Sequence, residues 1–156
     1  MRIIGVPTVF AGDYTEDDDE IIKLAMAKEA VLLTRDKALA RKAGDYVPVV
    51  LLSSTVFEKQ LLQLAKEKRI QLAGFESRTL CPQCGNELRV VGREKVRGKV
   101  FPRVYAAHEK FWLCSDTKCG KIYWTGSHWR KIGGTVEKVA GLLKGVKKAA
   151  GRKKAI

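Results

Sequence analysis

Cys81-Pro82-Gln83-Cys84-Gly85 and Cys114-Ser115-Asp116-Thr117-Lys118-Cys119-Gly120 hold all 4 cysteines of this 156-residue chain. Each pair is tight in sequence, and a glycine follows the second cysteine of each. A short loop lets two thiolates converge, and glycine accepts the positive φ that turns the chain away. Two such corners build a tetrahedral all-thiolate site suited to a structural zinc ion. Cys81, Cys84, Cys114 and Cys119 are its expected ligands. The first corner is C-x2-C and the second C-x4-C, so the pairs are unequal. The alternatives are a pair of disulfides, four unrelated core cysteines, or a mixed site in which His108 or His128 replaces a thiolate. Both histidines of the chain fall in this segment.

The charge is concentrated around the cysteines. The chain carries a net +13. Residues 1–79 hold 12 basic and 12 acidic side chains and are neutral. Residues 80–132 hold 11 and 4, a net +7, and residues 133–156 hold 7 and 1, a net +6. A polyanion meeting the second half is the natural partner, and nucleic acid is the commonest polyanion. The expected phosphate contacts are Arg93, Lys95, Arg97, Lys99, Arg103, Arg130, Lys131, Lys144, Lys147, Lys148, Arg152, Lys153 and Lys154. No apolar run is long enough to span a bilayer, and Met1-Arg2-Ile3-Ile4-Gly5 is too short for a signal core, so a cytoplasmic location is expected. Asparagine is nearly absent and charged residues make up 30% of the chain. That bias is of the thermophile, archaeal-like kind.

Ahead of the cysteines the pattern is that of an α/β body. Pro7 to Ala11 reads as a short strand. Thr15 or Asp17 can cap a helix whose first turn is acidic, continuing through Ile21, Ile22, Leu24, Ala25 and Ala27. Val31 to Thr34 is a buried-type strand, Asp36 opens a helix to about Lys42, and Val47 to Leu52 is another strand. Ser53-Ser54-Thr55 is positioned to cap a third helix with an apolar stripe of Phe57, Leu61, Leu62, Leu64 and Ala65. The order β-α-β-α-β-α implies a parallel sheet with helical crossovers, whose sites gather at the carboxyl ends of the strands. Asp18 and Asp36 fall on that rim, where carboxylates can hold Mg²⁺ or Mn²⁺. Capping explains the same acids, and spacing alone favours capping. A charged connector, 66–79, leads to a boundary near Ser77 to Thr79.

Within the cysteine segment, Glu87 to Val91 reads as a strand. The alternation from Arg93 to Arg103 reads as a basic hairpin. Phe111-Trp112-Leu113 and Lys121-Ile122-Tyr123-Trp124 run into and out of the second knuckle, as in a zinc ribbon. Tyr105, Phe111, Trp112, Tyr123, Trp124 and Trp129 are first of all core for so small a module, and one or two of them can stack on bases. After Gly133-Gly134 the apolar spacing of Val136, Val139, Ala140, Leu143 and Val146 gives a basic amphipathic helix, or an arm that folds on binding.

Asp17-Asp18-Asp19-Glu20-Ile21, Leu32-Leu33-Thr34-Arg35-Asp36, Cys81-Pro82-Gln83-Cys84 and Ile122-Tyr123-Trp124-Thr125-Gly126-Ser127-His128-Trp129 together resemble the Mut-seven C-terminal RNase domain family. That family joins a PIN-like nuclease fold to a zinc ribbon. The resemblance runs from about residue 2 to residue 131. It implies a metal-dependent endoribonuclease with its acidic site at Asp18 and Asp36, and Thr34 and Arg35 in the adjoining motif. The sequence departs from the family at its start. Met1-Arg2-Ile3-Ile4-Gly5 resembles the end of the family's first helix, and the first strand with its metal-binding Asp has no counterpart. The expected architecture is an incomplete PIN-like sheet at 1–79, a zinc ribbon at 80–132 and a basic tail at 133–156. The favoured expectation is a protein that binds structured RNA, such as a ribosomal subunit, and has lost cleavage. The alternative is a nuclease using Asp18 and Asp36. A protein-only scaffolding role ranks third.

Overall fold

A computed structural model describes the backbone of residues 1–67 and 69–152, and the side chains of residues 1–67 and 69–144. The chain is mixed α/β and divides into two compact units. One is residues 9–70 with 142–156, and the other is residues 1–8 with 71–141. Among the described residues, no helix is long and apolar enough to cross a membrane.

The first unit contains α1 (Asp18–Ala27), β1 (Leu32–Thr34), α2 (Lys37–Ala43), β2 (Val49–Leu51) and α3 (Phe57–Lys66). Strands β1 and β2 pair in parallel, with Leu32 opposite Val49 and Thr34 opposite Leu51. Helix α2 makes the crossover. Asp17 caps α1 by accepting from the Glu20 N–H, and Asp36 caps α2 by accepting from the Ala38 and Leu39 N–H groups. Ile22, Ala25, Leu39, Ala43 and Val47 form the core beneath the sheet, with Leu32 and Val49 packed against it.

Three expectations fail here for visible reasons. Pro7 to Ala11 is not a strand. The Thr8 carbonyl accepts from Arg2 Nε at 2.9 Å, Pro7 has no N–H to offer a ladder, and Ala11–Asp13 tightens into a 3-10 turn. Val9 and Phe10 stay exposed. The sheet of this unit therefore has two strands, not three. Strand β2 is shorter than 47–52 because the Val47 N–H still bonds the Ala43 carbonyl at the end of α2. Helix α3 starts at Phe57, just past the expected Ser53-Ser54-Thr55 cap. Val56 is its N-cap without a side-chain bond, and Ser54 Oγ instead accepts from the Val56 N–H.

The second unit is built on an antiparallel sheet, β3 (Leu88–Gly92), β4 (Lys110–Cys114) and β5 (Ile122–Tyr123), in that order. Leu88 lies opposite Cys114, and Leu113 opposite Ile122. The connection from β3 to β4 is not the expected basic hairpin. Arg93–Val96 is a 3-10 turn, Gly98 reverses the chain at φ +72°, and α4 (Pro102–Ala107) starts on a proline at its first turn. The cause is Val96, which is fully buried and draws the chain inward where a hairpin would hold it out. Phe111 fills the core below β4 with no exposure.

Helix α5 (Ser127–Arg152) runs without a break through Gly133 and Gly134. Val136 and Val139 seat its first half in the core. A glycine inside a helix costs about 1 kcal/mol relative to alanine. A Cβ added at Gly133 or Gly134 would meet no atom within 4 Å, so packing does not require either glycine.

Candidate metal centre and nucleic-acid interface

The two knuckles close on each other through backbone bonds. In the first, the Gly85 N–H bonds the Cys81 carbonyl and the Cys81 N–H bonds the Asn86 carbonyl, with Gly85 at φ +85°. In the second, Asp116 organises the longer loop. Its carbonyl accepts from the Cys119 and Gly120 N–H groups, and its Oδ1 accepts from the Lys118 N–H. That local turn is why four intervening residues serve as well as two.

The result brings all four thiols together. Their Sγ atoms lie within 4.8 Å of one another. Cys81 and Cys119 are 3.8 Å apart, and Cys84 and Cys114 are 3.4 Å apart. These exceed a disulfide bond of about 2.05 Å. They match the roughly 3.8 Å edge of a tetrahedron with zinc–sulfur bonds of about 2.3 Å. The set could hold a zinc ion, in an arrangement consistent with a zinc ribbon. With four thiolates and no open position, its chemistry would be structural. His108 packs edge-on against Phe111 and His128 lies exposed in the first turn of α5, so neither joins the group.

The surroundings tune the thiols unequally. Burial alone would raise Cys81, but the Tyr123 hydroxyl at 3.2 Å and the Cys84 and Gln83 N–H groups outweigh it and hold Cys81 at about 6. Burial pushes Cys114 up to about 12. Tyr123 is itself raised by burial and by its bond to Cys81. Cys119 is raised as well, so a dication bound by all four sulfurs would have to displace protons from the cluster.

Three supports escaped the sequence reading. Asn86 Nδ2 reaches Cys84 Sγ at 3.6 Å and Asp116 Oδ2 at 3.2 Å, tying one knuckle to the other. Tyr123 orients Cys81. Arg2 Nη1 donates to the Pro82 and Gln83 carbonyls, both at 2.9 Å, and the Arg2 carbonyl accepts from the Leu80 N–H. A lone asparagine beside a knuckle could have been noticed. The Arg2 bonds span some 80 positions and carry no local signal.

The expected phosphate ligands fall into three groups. Lys95, Lys99, Arg103, Arg130, Lys131 and Lys144 are exposed. Arg93 pairs with Glu109 at 2.8 Å, and Arg97 pairs with Glu94 at 2.9 Å and lies over the Tyr105 ring. The side chains of Lys147, Lys148 and Arg152, and the whole of Lys153 and Lys154, lie outside the described residues. Phe101, between Lys99 and Arg103, is 69% exposed.

The acidic candidates are placed separately. Asp18 is the first residue of α1, and Asp36 points its Oδ1 into the first turn of α2. Asp19 pairs with Lys42 at 2.8 Å. Among the described residues, the four cysteines are the group of three or more metal-binding side chains brought within ligand reach. At the carboxyl ends of β1 and β2 lies a cavity of about 470 Å³ lined by Arg35, Lys37, Leu51, Leu52, Ser53, Ser54 and Thr55. Neither Asp18 nor Asp36 lines it. Gln60 and Gln63 of α3 brace its loop through Ser54 O, Leu51 O and the Ser53 N–H and hydroxyl.

This combination of a parallel α/β unit and a four-cysteine antiparallel ribbon defines the class. The chain belongs to the Mut7-C RNAse domain family, whose model matches residues 1–136. No curated protein and no solved structure gave a significant match.

Proposed function

We propose that this protein binds structured RNA, such as a ribosomal subunit, and does so without cutting it. Membership of an RNase family points to RNA. The observation that carries the rest is the cavity at the carboxyl ends of β1 and β2. The position where an α/β nuclease gathers carboxylates presents Arg35, Lys37 and three hydroxyl residues, which suit a phosphate oxygen and repel a divalent cation. Asp36 lies outside that lining, its Oδ1 accepting two backbone N–H groups of α2, and Asp19 is held by Lys42. Residues 80–132, framed by zinc, supply the main grip through Lys95, Lys99, Arg103, Arg130 and Lys131. Residues 133–156 add charge, and the α/β body around β1 and β2 serves as the shape-reading piece. Several phosphate contacts of this kind suffice for tight, salt-sensitive binding.

A second reading is favoured by the family itself: a Mg²⁺- or Mn²⁺-dependent endoribonuclease working through Asp18 and Asp36. Incubating labelled structured RNA with the protein in each metal separates the two. Intact RNA is expected throughout. Asn caps a helix as well as Asp does, so Asp36→Asn removes charge and leaves α2 in place. Cleavage by the wild type that disappears in Asp36→Asn would establish the nuclease and overturn the binding-only reading.

A further inference from the structure

A second cavity, of about 380 Å³, lies in the ribbon unit between the 75–78 turn, β4 and the start of α5. Trp112 and Trp129 are stacked beside it, with ring centroids 6.2 Å apart and planes at 22°. Phe75 also packs against Trp129, with ring centroids 6.2 Å apart and planes at 31°. Along α5, Trp129, Gly133 and Glu137 follow at steps of four, as do Arg130 and Gly134, so all five share one side of the helix. The two glycines leave that side bare between the indole and the carboxylate. They weaken the helix, and no neighbour demands them, since a Cβ at either would sit in open space. What they provide is the cavity itself.

The lining restricts what fits. The indoles offer an apolar, polarisable wall for a flat ring. Glu76 and Glu137 also line the cavity, and neither is in an ion pair among the described residues. Carboxylates accept hydrogen bonds and cannot donate them. Of the four bases, guanine alone presents two adjacent donors, N1–H and N2–H, on its pairing edge. Adenine and cytosine offer one amine beside an acceptor nitrogen, and uracil one N–H between two carbonyls. Arg130 lies on the same wall, where it can meet the phosphate that accompanies the base.

We infer that the Trp112–Trp129 cavity is a pocket for an unpaired guanine base of the bound RNA, with the indoles as stacking wall and Glu76 and Glu137 as acceptors for its pairing edge. The inference rests on the RNA-binding reading for the source of the base. RNA proteins commonly take up splayed bases in this manner from single-stranded loops and bulges.

The test titrates the full-length, zinc-loaded protein with GMP, AMP, CMP and UMP and follows tryptophan fluorescence. The four share ribose and phosphate, so a difference reports the base. Saturable quenching by GMP is expected, at an affinity about tenfold above the other three. Glu137→Gln should erase much of that margin. Gly133→Leu fills the cavity while improving helix propensity. It should keep or raise the melting temperature and lose GMP binding about tenfold or more. Gly133→Ala is the milder filler and should show the same opposition of stability and affinity if leucine disturbs the fold. Equal response to all four nucleotides overturns the pocket. So does a folded Gly133→Leu or Gly133→Ala protein that binds GMP like the wild type. A protein that binds structured RNA but shows no GMP preference loses the pocket and keeps the wider reading. GMP preference without structured-RNA binding supports the pocket and overturns the wider reading.

Discussion

Stripping zinc from the protein is expected to unfold the ribbon unit. Cys81 and Cys114 are almost fully buried, and the sheet β3-β4-β5 ends on the knuckles that carry them. Beyond Phe111, Val96, Val136 and Val139, that unit has few fully buried side chains of any size. Structural zinc contributes about 10–16 kcal/mol of apparent binding free energy in small finger peptides, more than the whole stability of a typical small domain. After chelation, circular dichroism should lose the ribbon's cooperative melt, and one equivalent of zinc should restore it. Unit 9–70 has its own core in Ile22, Ala25, Leu39, Ala43 and Val47, so part of the helical signal should survive. An unchanged melt after verified metal loss would show that the four thiols do not carry a stabilising ion.

Raising salt should weaken binding of structured RNA just as sharply. Lys95, Lys99, Arg103, Arg130, Lys131 and Lys144 are exposed and free of ion pairs among the described residues. Six phosphate contacts imply a loss of about a thousandfold between roughly 50 and 200 mM salt, because each contact releases condensed counterions. Arg93 and Arg97 are already engaged by Glu109 and Glu94 and should contribute less. Lys99→Gln is therefore expected to flatten the salt slope by about one unit, and Arg93→Gln by less than that. A loss below about tenfold across the same range would mean that phosphate contacts are not the basis of binding.

The parts legible in the sequence are those whose cause is local. Cysteine spacing and the glycines after Cys84 and Cys119 announce the knuckles, and both glycines take positive φ. Asp17 and Asp36 read as caps because a cap is a three-residue event, and both do cap. The parallel pairing of β1 with β2 follows from the crossover helix between them. What stayed hidden depends on distant partners. Pro7 to Ala11 has strand composition, but Arg2 takes the Thr8 carbonyl. Arg93 to Arg103 alternates like a hairpin, but burial of Val96 decides otherwise. Gly133-Gly134 reads as the point where the basic tail begins, and only the helix running through it shows two glycines bordering a cavity. The same holds for Arg35 and Lys37. In sequence they flank an acid, and in the fold they line the cavity while the acid turns into its helix.

The most direct test is the affinity of zinc-loaded and zinc-stripped protein for one structured RNA, measured by mobility shift at low salt with metal content verified. A zinc-framed grip predicts that stripping costs at least about a hundredfold in affinity, since the ribbon's cations lose their fixed spacing when it unfolds, and that zinc restores it. RNA bound equally well by metal-free protein would contradict the claim that the four-cysteine ribbon is where this protein holds its RNA.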